Sequence, residues 1–230
     1  SEDCLYLNVW TAAKSPEEIR PVMLWIYGGG FITGGSAAAG YSGEAMAKKG
    51  IIFVSFNYRL GAFGFLAHPG LSAEDPHHAS GNYALLDQIA ALKWIKKNIR
   101  AFGGDPDQVT IAGQSAGSAS VNCLLASPLA RGLFQGAIAE SGSMVLENPL
   151  IRMKTLAVAE KQGIALAEKL NAKTIQELRA LPAKTIQAAF GFYAPIADGY
   201  VMPASVAEIY KQSLQTHIPF LTGWNAGEGF

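Results

Sequence analysis

A serine hydroxyl becomes a useful nucleophile when the backbone holds it clear of its neighbours, and Gly113-Gln114-Ser115-Ala116-Gly117 has the composition to do that. The segment stands between a buried-strand pattern, Val109-Thr110-Ile111-Ala112, and a helical one, Ala119 to Ala126. A G-x-S-x-G at a strand-to-helix turn is a nucleophile elbow, in which a strained serine presents its Oγ above the sheet. Glycine is needed on both sides because a Cβ there would strike the adjoining strand or helix. The N-terminus of the following helix favours negative charge developing at the site. A chance match in a chain of 230 residues has a probability of about 0.1, so the pentapeptide alone decides nothing.

Gly28-Gly29-Gly30-Phe31 changes that balance, because it follows a second buried-strand pattern, Val22-Met23-Leu24-Trp25-Ile26-Tyr27. Consecutive glycines at a strand end let backbone N–H groups approach a substrate oxygen, which is how an oxyanion hole for acyl transfer is built. Alone, the run would also fit a plain flexible turn. Upstream of an elbow it reads as the second half of an acyl-transfer site.

Those two segments need a sheet to hold them. Strand patterns are expected near Leu5–Trp10, Val22–Tyr27, Ile51–Phe56, Val109–Ala112, Gly136–Glu140 and Phe220–Thr222, alternating with helical patterns. That alternation predicts a mostly parallel sheet with helices on both faces. The longest helix is expected from Tyr83 to Ile99, with Leu85, Leu86, Ile89, Leu92, Ile95 and Ile99 as its buried stripe. Gly103-Gly104-Asp105-Pro106 should end it. Farther along, Leu156, Ala159, Gly163, Leu166 and Leu170 step at amphipathic-helix spacing, and Thr174-Ile175-Gln176-Glu177 reads as a capping box.

Half of the residues are hydrophobic, enough for a substantial core, and 18 basic residues balance 18 acidic ones. No basic patch points to nucleic acid. The most apolar stretch, Ile51 to Leu66, is interrupted by Ser55, Asn57 and Arg59, which argues against a membrane span. Cys123 reads as a small buried hydrophobe, and nothing supports a bridge from it to Cys4.

Together these blocks bring a family into view: the chain resembles the type-B carboxylesterases, the α/β-hydrolase group that includes cholinesterases and bacterial carboxylesterases. The resemblance runs from first residue to last. It rests on Ser1-Glu2-Asp3-Cys4-Leu5-Tyr6-Leu7-Asn8-Val9-Trp10, Trp25 to Phe31, Asn57 to Leu66, Gly81-Asn82 with Leu85 to Gln88, and Phe102 to Pro106. It continues through the elbow, Glu140-Ser141-Gly142-Ser143, Pro195 with Asp198-Gly199, and Gly223 to Phe230. It implies one partial α/β-hydrolase domain over residues 1–230, truncated at both ends, with a helical insertion at 150–190 beside the active-site mouth.

The resemblance also assigns roles. Ser115 is the expected nucleophile, the N–H groups of Gly29, Gly30 and Ala116 the expected oxyanion donors, and Glu228 the expected acid. The base is the gap. His68, His77 and His78 precede the nucleophile and His217 precedes the acid, whereas in this fold the order is Ser, Asp/Glu, His. The catalytic histidine is therefore expected beyond residue 230. His77-His78 lacks convergent ligands and reads as solvated loop, not a metal site. Arg59 is expected to pair with Asp87, and Asp198 to hold a turn.

The reaction implied is serine carboxylic-ester hydrolysis through an acyl-enzyme, with no metal and no organic cofactor. Tyr27 stands where many lipase-like esterases have His before the glycines. Gln114 stands where cholinesterases carry glutamate, so neutral esters are favoured over choline esters. A small-molecule ester is the expected partner. The alternatives are a non-catalytic binding or adhesion relative, and an amidase or lactonase with the same apparatus. In secreted relatives the cysteine at Cys4 pairs with an upstream one, the sole lean toward a secreted or periplasmic location.

Overall fold

The computed structural model of the protein describes residues 3–145, 152–189 and 191–228. Ser1, Glu2, Gly229 and Phe230, which belong to the sequence blocks above, lie outside them, as do residues 150, 151 and 190 of the proposed helical insertion.

Among the described residues six strands form one sheet: β1 (Leu7–Trp10), β2 (Arg20–Ile26), β3 (Ile52–Phe56), β4 (Gly104–Gln114), β5 (Gly136–Glu140) and β6 (Phe220–Gly223). Their spatial order is β1-β3-β2-β4-β5-β6, with only β1 antiparallel to its neighbour. Nine α-helices are described: α1 (Glu44–Lys48), α2 (Gly61–Phe65), α3 (Pro69–Glu74), α4 (Tyr83–Asn98), α5 (Ala116–Ala126), α6 (Leu156–Lys169), α7 (Ile175–Ala180), α8 (Ala183–Ala188) and α9 (Val206–Lys211). None of these is long and apolar enough to cross a membrane.

Register explains the layering. Val22 faces Val109, Leu24 faces Ile111 and Ile26 faces Gly113, and the next strand adds Ala137 and Ala139 to the same side. All these side chains are buried, against α4 and α5. Leu85, Leu92 and Ile95 of α4 are fully enclosed, each contributing about 1.5–3 kcal/mol of burial. Gln88 Nε2 donates to Ser120 Oγ at 3.0 Å and ties α4 to α5. The opposite face carries Trp25, Ala112, Ile138 and Leu221 in one row. It is covered near β3, where Gly43 before α1 rests on the Phe53 ring, while Leu221 in β6 is exposed.

Several boundaries differ from expectation. Strand β4 begins at Gly104 because Arg20 pairs with that glycine across a register shift, drawing Asp105 and Pro106 into an irregular extension of the strand. Helix α5 starts at Ala116, three residues early, since the small residues Ala116-Gly117-Ser118 carry too little pattern to be read as helix. Helix α4 runs into a 3-10 turn over Ile99–Phe102, and Gly103 at φ 80° stops it. Thr174 Oγ1 accepts from the Glu177 N–H, but the Glu177 carboxylate accepts from Lys173, so only half of the expected capping box forms. A complete box closes instead at Ser205 and Glu208, opening α9.

Candidate active site

Ser115 occupies the single residue between β4 and α5 with φ 57° and ψ −119°. A side chain held there costs about 1–3 kcal/mol and persists only where the surroundings enforce it. The enforcement is steric. A Cβ on Gly113 would lie 2.5 Å from the Gly117 carbonyl, and one on Gly117 would lie 1.9 Å from the Ile26 oxygen. Strand and helix thus meet at contact distance, and the serine between them has nowhere to relax. Its N–H donates to the Glu140 carbonyl at 2.9 Å, and its own carbonyl accepts from Ala119 at 3.0 Å. The Ala116 N–H, first in the helix, is one of the amides a helix leaves without an internal partner.

The glycine loop lies directly against this elbow. A Cβ on Gly28 would sit 2.7 Å from the Gln114 oxygen and 3.0 Å from Ser115 Cβ. Gly29 and Gly30 follow at φ 107° and 64°. The Gly29 carbonyl accepts from both Ile32 and Thr33 at 3.1 Å, so the chain reverses within four residues. Around Gly30 a Cβ would meet nothing within 4 Å, so the loop is open at that residue.

Two buried tyrosines support the loop from behind. Tyr58 Oη donates to the Tyr27 carbonyl at 2.7 Å, Tyr27 Oη donates to the Tyr58 carbonyl at 3.3 Å, and the rings stack 4.4 Å apart. Burial pushes Tyr27 up to about 12 and Tyr58 higher still, so both phenols stay neutral hydrogen-bond donors. Gly34 brings the far end of the loop back over the Tyr27 ring. Tyr27 is therefore a scaffold residue.

Glu228 comes from the loop after β6. Ser141 Oγ donates to its Oε1 at 2.5 Å, and the Asn225 N–H donates to the same oxygen at 2.6 Å. These two bonds, the Ser141 hydroxyl first, hold the Glu228 carboxyl below its ordinary value. Ser141 has φ 52°, and its N–H donates to the Gly223 carbonyl at 2.8 Å. Its neighbour Gly142 is packed so closely that a Cβ would lie 2.5 Å from the Ser115 oxygen, and the Gly142 carbonyl accepts from Ser118 Oγ at 2.6 Å. Ser141-Gly142 is thus the physical bridge from the elbow to Glu228. A cavity of about 460 Å³ opens here, lined by Gln114, Glu140, Ser141, Leu221, Asn225 and Glu228. It adjoins the elbow without including Ser115 itself.

Sequence reasoning missed Ser141. Its signal was present, in a Glu-Ser-Gly-Ser block at the end of a strand beside the elbow strand, but only the tertiary fold brings it to Glu228.

The remaining conspicuous residues are structural. Arg59 and Asp87 form a two-pronged ion pair, Nε to Oδ2 at 2.8 Å and Nη2 to Oδ1 at 2.7 Å, and the Arg59 N–H joins at 3.0 Å. Asp198 accepts from Tyr200 and Met202 at 3.1 and 2.8 Å, holding a turn as expected. Cys4 and Cys123 are not bonded to each other, and burial raises Cys123 far above its ordinary value. His68 Nδ1 accepts from Gly70, His77 stacks on Tyr200 beside Asp75, and His217 Nε2 contacts the Ser213 carbonyl. Among the described residues no histidine bonds to Ser115 or Glu228.

Comparison with known proteins places this geometry. The family model described as "Carboxylesterase family" matches residues 1–230. The fumonisin B1 esterase of Sphingopyxis macrogoltabida is 44% identical over 237 residues, covering all of this chain and 43% of that protein. The para-nitrobenzyl esterase of Bacillus subtilis is 40% identical over 241 residues, covering all of this chain and 48% of that protein. The chain thus spans a little under half the length of these relatives. Among solved structures, a Geobacillus stearothermophilus carboxylesterase superposes with a TM-score of 0.87 at 39% identity, over 97% of this chain and 47% of that one. With elbow, glycine loop, sheet order and family model in agreement along its whole length, the chain belongs to the carboxylesterase family.

Proposed function

We propose that the chain carries the nucleophile, oxyanion donors and acid of a serine carboxylic-ester hydrolase. The observation that carries this reading is Ser115, held at φ 57° and ψ −119° against the Gly28–Gly30 loop. In the proposed reaction Ser115 Oγ gives its proton to an imidazole and attacks the ester carbonyl carbon. The resulting oxyanion accepts hydrogen bonds from the Gly29, Gly30 and Ala116 N–H groups, which stand ready at no cost in reorganisation. The alcohol leaves with the proton, and water then releases the acid from the acyl-enzyme.

Glu228 orients the imidazole. Its Oε1 already accepts two bonds, which assigns Oε2 to the base. No histidine of this sequence is placed for that role, so the base comes from outside these residues. Helices α6 to α8 belong to the site mouth in this reading, since α8 lies against α2, whose first residue contacts the glycine loop. Gln114 contributes no charge beside the nucleophile, which supports neutral esters as substrates.

A fluorophosphonate probe tests the assignment. In the full-length protein it should label one residue, mapped by peptide mass to Ser115, and Ser115→Ala should abolish labelling. Undiminished labelling of that variant would contradict the proposal.

A further inference from the structure

Resting on the esterase reading above, we infer that Phe31 is a positioning residue for the oxyanion hole, fixing the directions of the Gly29 and Gly30 amides. Gly30 and Phe31 are the two central residues of the turn closed by the Ile32 N–H on the Gly29 carbonyl. Both have positive φ, 64° and 63°, as in a mirror-image turn, where glycine, asparagine or aspartate is the usual occupant. A phenylalanine there is strained, and strain of this kind survives only where other contacts over-determine the conformation.

Those contacts are visible. The Phe31 ring is 6% exposed and packs edge-to-face on Phe65 of α2, centroids 5.0 Å apart. Its carbonyl accepts from the Gly61 N–H at 2.7 Å. Two residues upstream, Arg59 is fastened to Asp87 of α4 through both backbone and guanidinium. A continuous mechanical line therefore runs from the longest helix through Arg59 and Gly61 to Phe31, and from Phe31 to the two amides. Glycine at 31 would adopt the same φ without strain but would lose the ring that pins the turn. The turn would then sample orientations in which the two N–H groups no longer converge on one point.

The clamp matters when charge develops on the substrate oxygen, so its loss should appear in turnover and in transition-state affinity, not in ester binding. The experiment compares full-length wild type, Phe31→Gly, Phe65→Leu and Ile99→Ala with p-nitrophenyl butyrate and a trifluoromethyl ketone. The ketone forms a tetrahedral oxyanion adduct on serine. Phe31→Gly should lower kcat about 100-fold, keep KM within about threefold, and weaken the ketone by a factor matching the kcat loss. Phe65→Leu, which trims the same contact from the far side, should lower both in parallel by about tenfold, and it serves if Phe31→Gly does not fold. Ile99→Ala empties a buried position packed on Gly104 at the far end of β4 from the elbow, so it should lower Tm while leaving kcat within about twofold.

Folded Phe31→Gly or Phe65→Leu enzyme with kcat and ketone affinity within about threefold of wild type would overturn the inference while wild-type activity kept the esterase reading intact. Wild type inert toward both compounds would overturn the reading and the inference together.

Discussion

The two ends of the site are built differently. Around Ser115 the backbone is hemmed in: Gly113 and Gly117 close strand on helix, Gly28 presses on the serine, and Tyr27 and Tyr58 lock the loop behind it. Around Glu228 the contacts within this chain are hydrogen bonds: the carboxylate is held by one hydroxyl and one amide. The geometry of Ser115 is thus enforced by packing, which tolerates no added atom, whereas that of Glu228 is enforced by hydrogen bonds, which fail one at a time.

The contrast is sharpest for glycine. Gly117→Ala should cost at least about 3 kcal/mol, because the new methyl would lie 1.9 Å from the Ile26 backbone oxygen. Thermal unfolding should show a large loss of Tm or no folded protein. A stable Gly117→Ala would mean that the elbow can relax and that its strain is not enforced.

Glu228→Gln should leave Tm nearly unchanged but lower kcat of the full-length protein about 10³–10⁴-fold, since an amide stabilises the imidazolium poorly. Retention of kcat within threefold would remove Glu228 from the reaction. Asp198, buried in its turn, would be the next carboxylate to test.

Ser141→Ala removes the first of the two bonds on the carboxylate, and kcat should fall about tenfold. The pH dependence gives the sign. A carboxyl held below its ordinary value contributes stability above about pH 4.3 and loses it as pH falls through the depressed value. Without Ser141 the Glu228 pKa should rise, and the acid limb of kcat/KM should move to higher pH. An unmoved limb would mean that Ser141 does not govern this carboxylate.

Smallest of all, Gly223→Ala should change stability by less than about 0.5 kcal/mol, because within this chain a Cβ there meets nothing within 4 Å. A change as large as that of Gly117→Ala would erase the distinction between the two regions.

The same distinction governs what could be read from the chain. The parallel sheet, α4 and the elbow were legible because each imposes a pattern on consecutive residues: apolar runs, a helical stripe, glycines flanking a serine. The packing devices were not. Phe31 at positive φ, the reciprocal tyrosines and Ser141 on Glu228 join residues far apart in sequence, and no local pattern marks them. Helices α1, α2 and α3 span five or six residues, too few for periodicity to register. The start of β4 was misjudged because pairing with Arg20 overrode the breaking tendency of Gly104 and Pro106.

The central claim is that this packed elbow makes Ser115 the acyl acceptor. Rapid mixing of the full-length protein with excess p-nitrophenyl acetate tests it most directly. A burst of p-nitrophenolate approaching one equivalent per active site is expected, with an acetyl adduct on the Ser115 peptide and loss of both in Ser115→Ala. Turnover undiminished in Ser115→Ala, or an acetyl group mapped to another residue, would contradict it.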